Sequence, residues 1–151
     1  METRPGATDA AAALDLVASS RAGLADRLVS PTWYHPCLGA MLGLFSASYA
    51  LHSPAATVVA LALFLAGALL MVRAYRRATG VFVNGLRAGA ASRWAGAGGA
   101  LSAATILAGV ALDRGLDWRW APVAAGVVAG VVTVVMGNRF DEALRTQLRR
   151  R

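Results

Sequence analysis

The segment RAYRRATGVFVNGLRAGAASRW, residues 73–94, decides how this chain is arranged. It contains no acidic residue and five arginines: Arg73, Arg76, Arg77, Arg87 and Arg93. Long apolar runs without Asp, Glu, Lys or Arg flank it on both sides. A basic segment between two apolar runs is typical of a cytoplasmic loop that joins two membrane spans.

The apolar runs exceed what a soluble domain needs. Hydrophobic residues make up 57% of the 151 residues, whereas soluble domains average about 45–50%. The excess is concentrated in three runs, at 34–72, 94–112 and 120–138. A bilayer core about 30 Å thick needs roughly 20 apolar residues of helix, so the first run must be split at the turn 52–54. The sequence therefore predicts an all-α integral membrane protein, a four-helix bundle.

Four spans are predicted, at about 36–51, 55–72, 94–112 and 120–137, and they form one membrane domain over residues 36–137. The basic segment 73–93 is its cytoplasmic loop.

Three further segments flank this domain. Residues 1–7 are predicted to be a disordered tip. Residues 8–29 have the pattern of an amphipathic interfacial helix, which is too charged to cross a membrane. Residues 138–151 are predicted to continue the last span as a cytoplasmic helix, because Phe140, Leu144 and Leu148 recur every fourth residue.

The distribution of arginine predicts the orientation. If the loop 73–93 is cytoplasmic, thirteen of the fifteen arginines lie on that side of the membrane. The positive-inside rule then places both termini in the cytoplasm of a multi-pass protein of the cell membrane. The net charge of +7 is explained by this distribution, so it does not indicate a nucleic-acid partner.

Small residues recur at four-residue spacing in three of the predicted spans. In lipid, such faces let helix backbones approach closely. We expect packing contacts at these positions: Gly39 and Gly43 in the first span, Gly96 and Ala100 in the third, and Gly126 and Gly130 in the fourth. Packing within the bundle is the favoured interpretation, and a dimer face for a second copy is the alternative.

The sequence offers little for catalysis or metal binding. No ionisable side chain lies inside a predicted span apart from Cys37, which counts against a proton-coupled transporter. His35 and His52 are predicted to lie on opposite sides of the membrane, and neither has an obvious acidic partner. No Cys/His cluster and no G-x-S-x-G motif is present. We therefore predict no catalytic residue, no metal and no cofactor.

The arginines of the loop are the remaining candidates for a site. Arg73, Arg76 and Arg77 share a helix face, because their spacing is i, i+3, i+4. The favoured interpretation is orientation plus contact with anionic lipid head groups, which Arg87 and Arg93 share. A specific phosphate pocket is the alternative. Pairing with Asp141 and Glu142 would leave fewer arginines free for a ligand.

The segments TWYHP, YRRATGVFVNGLRAG and NRFDEALR resemble those of uncharacterised small membrane proteins from high-GC actinobacteria. The resemblance covers most of the chain. It implies four membrane spans and carries no known activity or site.

Three functions remain open. The favoured hypothesis is a non-enzymatic membrane protein that binds a partner through its basic cytoplasmic face: anionic lipids, a second copy or a cytoplasmic protein. The second is a transporter or channel subunit that works as an oligomer. The third is an enzyme acting on an anionic lipid at the inner interface.

Overall fold

The computed structural model describes residues 30–79 and 91–149, together with positions 12, 13, 15 and 16. In these residues the chain is helical and contains no strand. The prediction of an all-α protein is therefore confirmed. The disordered tip 1–7, most of the predicted helix 8–29, Arg87 and the end of the chain at 150–151 lie outside the described residues.

The described chain forms four α-helices. Helix α1 runs over Tyr34–Ala47 and continues as a 3-10 turn over Ser48–Leu51. Helices α2, α3 and α4 follow at Pro54–Thr79, Ser92–Leu116 and Ala121–Arg149.

Two sharp turns separate the helices that follow one another closely. His52 and Asp117 have φ angles of 50° and 52°, in the left-handed region that ends a helix. A proline opens the next helix in each case: Pro54 is the first residue of α2, and Pro122 is the second residue of α4. Proline suits a first helical turn, where its missing N–H costs no hydrogen bond.

The helices are longer than the predicted spans. Helix α2 continues to Thr79 instead of ending at 72, and α3 continues to Leu116 instead of 112. The predicted span 120–137 and the predicted extension are parts of the single helix α4. Residues 73–79 and 113–116 are therefore helix and not loop. Arginines near a helix C-terminus favour such continuation, because they face its partial negative charge.

Among the described residues, three helices are long and apolar enough to cross a membrane, at Pro54–Ala78, Ser92–Leu116 and Ala121–Gln147. This finding is compatible with a multi-pass membrane protein. Helix α1 has 14 residues and is shorter than these three.

Helix α4 is the centre of the packing. Helices α1 and α3 both pack along it, whereas α2 packs mainly against α1 and the 3-10 turn, with far fewer contacts. Only 6% of the most apolar stretch of α2 is buried, whereas 28% of the corresponding stretch of α4 is buried. Helices α1, α3 and α4 thus form a core, and α2 lies at its edge.

Four glycines form the contact between α1 and α4. A Cβ atom added at Gly39 would lie 2.7 Å from the carbonyl oxygen of Gly130, and one added at Gly126 would lie 2.7 Å from that of Gly43. These pairs run in opposite directions along the two helices, so α1 and α4 are antiparallel. Backbone meets backbone here, which only glycine allows at this separation.

The predicted packing face of α3 is wrong. Gly96 and Ala100 are exposed, and a Cβ atom added at Gly96 would meet nothing within 4 Å. The face that packs on α4 is a different stripe: Gly98, Ser102, Ile106, Gly109 and Asp113 are the buried residues of α3. Both stripes have helical spacing and small residues, so spacing alone did not separate them.

The glycine contact predicts that glycine-to-alanine substitutions at two positions have opposite effects on stability. Gly39→Ala should lower the free energy of unfolding by about 1–3 kcal/mol, because its methyl group forces the two backbones apart. Gly96→Ala, the matched control, should raise it by about 0.5–1 kcal/mol, because alanine favours an exposed helix. Thermal unfolding in detergent, followed by circular dichroism, measures both. Equal melting temperatures for the two variants would contradict the close contact.

Candidate functional site

A cleft lies between α2 and the core, because α2 stays apart from α3 and α4. Its volume is about 650 Å³, and it is only partly enclosed. Apolar side chains form most of its wall, and aromatic rings come from all four helices and the 3-10 turn: Tyr34, Phe45, Tyr49, Phe64, Tyr75, Trp94 and Phe140. We call the end near Arg73, Arg76 and Arg93 the basic end, and the end near His52 and Asp113 the distal end.

The basic end is organised by a carboxylate. Asp141 Oδ2 lies 3.0 Å from His35 Nε2, and Asp141 Oδ1 accepts a 2.8 Å hydrogen bond from Ser30 Oγ. Both His35 and Asp141 are only 9% exposed. Asp141 therefore joins α4 to α1 and to the segment before it, and its oxygens are both used.

Contacts with Gly137 and Tyr34 fix the position of the His35 ring. Its imidazole lies against Gly137, where an added Cβ would collide with the ring. Tyr34 packs edge-on against His35 and against Tyr75 of α2, with ring centroids 5.2 Å apart in both cases. Aromatic contacts of this geometry are worth about 0.5–1.5 kcal/mol beyond their buried area. The Tyr34–Tyr75 contact joins α2 to α1 at the basic end.

The distal end has a second histidine–carboxylate pair. His52 Nε2 lies 3.0 Å from Asp113 Oδ2, and their side chains are 48% and 3% exposed. The pair connects the turn before α2 to the last turn of α3. Asp113 Oδ1 is buried and has no hydrogen-bond partner among the described residues. Such an atom carries a desolvation penalty of about 1–3 kcal/mol, or more when it is charged.

The two pairs correct the sequence analysis. Each histidine does have an acidic partner, although sequence gave no sign of one. Asp113, predicted to lie in a polar loop, is buried in α3 with 4% exposure. The sequence held one signal for the burial of Asp113. This residue follows Gly109 by four positions, on the stripe of α3 that packs against α4.

The predicted arginine site is not assembled in the described residues. Arg73, Arg76, Arg77 and Arg93 are all exposed at the basic end, and Arg87 is not described. Arg93 lies over the ring of Trp94, 5.6 Å from its centroid, at the edge of the cleft.

The acids considered as partners for these arginines have other contacts. Asp141 bonds His35 and Ser30, and Glu142 lies 3.5 Å from Arg139.

Other polar groups in the cleft bond to helix backbone. Thr133 Oγ1 donates to the Ala129 carbonyl at 2.8 Å, and Ser102 Oγ lies 3.4 Å from the same oxygen. Within the described ranges, no three His, Cys, Asp or Glu side chains form a group that could hold a metal ion.

No protein-family model matches the sequence, and no curated protein or solved structure matches it. The resemblance to small actinobacterial membrane proteins stays a prediction.

The contacts at the basic end predict that Asp141 contributes more to stability than its neighbour Glu142. Asp141→Ala should lower the free energy of unfolding by about 3 kcal/mol, because it leaves His35 buried without its partner. Glu142→Ala, the control, removes an exposed ion pair and should cost at most about 1 kcal/mol. Thermal unfolding in detergent compares the two. Similar losses for both variants would contradict the structural role of Asp141.

Proposed function

We propose that this chain is a four-span protein of the cell membrane that binds an anionic amphiphile in the cleft, without catalysing a reaction. The observation that carries the proposal is the apolar cleft of about 650 Å³ beside a basic end. Ligand sites have volumes of about 300–1,000 Å³ and mostly apolar walls with a few polar groups, as this cleft has.

The length of α1 supports a fourth span. Its 14 residues rise about 21 Å as an α-helix. The four residues of the 3-10 turn add about 8 Å. The total of about 29 Å approaches the thickness of a bilayer core. With four spans, the chain's two ends lie on the same side, which the arginine distribution assigns to the cytoplasm.

Topology has a direct test in single cysteines, introduced in a background with Cys37→Ser. Leu116→Cys lies at the distal end and Ala78→Cys at the basic end, and both positions are exposed. A membrane-impermeant maleimide should label intact cells at 116 only, and permeabilised cells at both positions. Labelling of intact cells at 78 would reverse the proposed orientation.

The composition of the cleft favours a lipid-like ligand. Leu42, Phe64 and Leu107 line its middle, and such walls suit an acyl chain. At the basic end, Arg93 lies beside the cleft residue Trp94, where it can meet a phosphate. A cytoplasmic leaflet rich in anionic lipids would supply that head group, and each basic side chain near it contributes about 1 kcal/mol.

The hydrogen bonds at the basic end argue against the enzyme alternative. A serine nucleophile needs a base that accepts its proton. Ser30 Oγ instead donates to Asp141, and His35 contacts the other oxygen of the same carboxylate. The acid thus separates hydroxyl and imidazole, so this arrangement does not activate Ser30.

Binding is tested by filling the cleft. Gly99 lines it, and a Cβ atom added there meets nothing within 4 Å, so Gly99→Leu adds a larger side chain at a position with room for its Cβ atom. Gly96→Leu is the matched control, because Gly96 is equally unobstructed but does not line the cleft. Both variants are made in a background whose only tryptophan is Trp94.

The readout is quenching of Trp94 fluorescence by lipids with brominated acyl chains. Brominated phosphatidylglycerol should quench more strongly than brominated phosphatidylcholine. Gly99→Leu should remove most of this difference, and Gly96→Leu should leave it unchanged. Equal quenching by the two lipids in the parent protein would overturn the proposal.

A further inference from the structure

We propose that a second pocket, at the distal end, binds a small apolar ammonium ion in exchange for a proton. The pocket has a volume of about 420 Å³ and lies between the start of α2 and the end of α3. Only Tyr49 is shared with the cleft. This inference goes beyond the proposed lipid binding and does not depend on it.

Asp113 provides the anchor for a donor group. Its side chain is 3% exposed, and Asp113 is one of the residues that line the pocket. One oxygen faces His52, and Oδ1 is buried without a partner in the described chain. A ligand that donates a hydrogen bond to Oδ1 would satisfy this atom. A cationic donor would bind most strongly, because hydrogen bonds between charged partners are stronger than those between neutral ones.

The surrounding backbone contributes partial charges of both signs. The pocket lies where α3 ends at Leu116 and where the 3-10 turn ends at Leu51, and helix C-termini carry partial negative charge from their free carbonyl groups. It also lies at the start of α2, whose N-terminus carries partial positive charge, so the carboxylate of Asp113 is the feature that selects a cation. Arg114 also lines the pocket but is exposed, so that water screens it.

The geometry of His52 gives the pair one exchangeable proton. Its Nδ1 lies 3.1 Å from the carbonyl oxygen of Ala50, which can only accept, so Nδ1 carries a hydrogen. The Nε2 atom faces a carboxylate oxygen at 3.0 Å, which also only accepts unless protonated. A proton must therefore lie between Nε2 and Oδ2, either on the imidazole or on the carboxyl group.

An ammonium ion can replace that proton. It would donate to the Asp113 carboxylate and to the bare Nε2 of neutral His52, while Nδ1 keeps its bond to Ala50. The displaced proton leaves to water, so the net charge of the pocket stays the same. Of the other lining groups only Tyr49 and Arg114 are titratable, since the turn before α2 contributes Ser53 and α2 contributes Pro54, Thr57 and Val58.

The remaining walls of the pocket favour a ligand with a short apolar group. Pro54, Val58, Val110 and the ring of Tyr49 are apolar surfaces beside the carboxylate. A short aryl or alkyl group attached to the ammonium would contact them. Benzylammonium has this combination, and benzyl alcohol is its neutral counterpart with a similar shape.

The experiment is isothermal titration of the full chain in detergent with benzylammonium, in two buffers of different ionisation enthalpy. About one proton should be released per ion bound, and affinity should fall by up to tenfold for each unit of pH lowered. Benzyl alcohol should bind at least tenfold more weakly. Equal affinity for the alcohol, or binding without proton release, would overturn the proposal.

Two variants separate the roles of the pair. Asp113→Asn should lose at least tenfold in affinity, whereas Asp117→Asn, an exposed aspartate at the same end, should not change it. His52→Gln keeps the carboxylate that anchors the ammonium ion but removes the imidazole that shares the proton with it. It should still bind benzylammonium, with an affinity and a dependence on pH that differ from those of the parent. Affinity and proton release unchanged from the parent in His52→Gln would overturn the exchange at this pair, even if Asp113→Asn does not fold.

Discussion

The rest of the structure depends on the backbone contact between α1 and α4. Gly39 and Gly43 lie against Gly130 and Gly126 so closely that either helix lacks room for a methyl group. Dispersion contacts of this kind drive helix association in lipid, where apolar burial alone gives little advantage. Because the helix axes are held at this distance, short polar side chains can reach across the interface.

The polar contacts along α1 follow from that separation. Ser46 donates a 2.7 Å hydrogen bond to the Pro122 carbonyl at the distal end, and His35 meets Asp141 at the basic end. Together with the glycines they form one line along the antiparallel pair. A carbonyl oxygen has two lone pairs, so that of Pro122 can accept from Ser46 as well as from the backbone of its own helix. This hydrogen bond fixes the register of α1 on α4.

The same arrangement leaves α2 outside the core. Helix α2 forms one wall of the cleft. It is held in place by packing against α1, by the Tyr34–Tyr75 contact at the basic end and by the His52–Asp113 pair at the distal end. Small residues on α1 are used against α4, so α2 meets larger ones such as Met41 and Phe45. The cleft is thus a consequence of which face of α1 carries the glycines.

Sequence predicted the elements better than the contacts. Apolar runs predicted an all-helical chain with helices long and apolar enough to cross a membrane. This prediction is robust because hydropathy is a sum over many residues. The stripe at Gly96 and Ala100 failed because α3 has two faces of small residues, and packing on α4 uses the other. The histidine–carboxylate pairs were missed because each joins different helices, and their separation in sequence carries no information about which helices are neighbours.

The distribution of polar groups limits what the cleft can do. His35 lines its basic end, the His52–Asp113 pair lies in the separate distal pocket, and Leu42, Phe64 and Leu107 line the space between them. An ion moving along this path would lose its hydration and meet no charged partner, because the hydroxyl groups of Ser102 and Thr133 already contact helix backbone. An apolar chain meets no such barrier in the same space. The walls of the cleft therefore suit an apolar chain better than a bare ion.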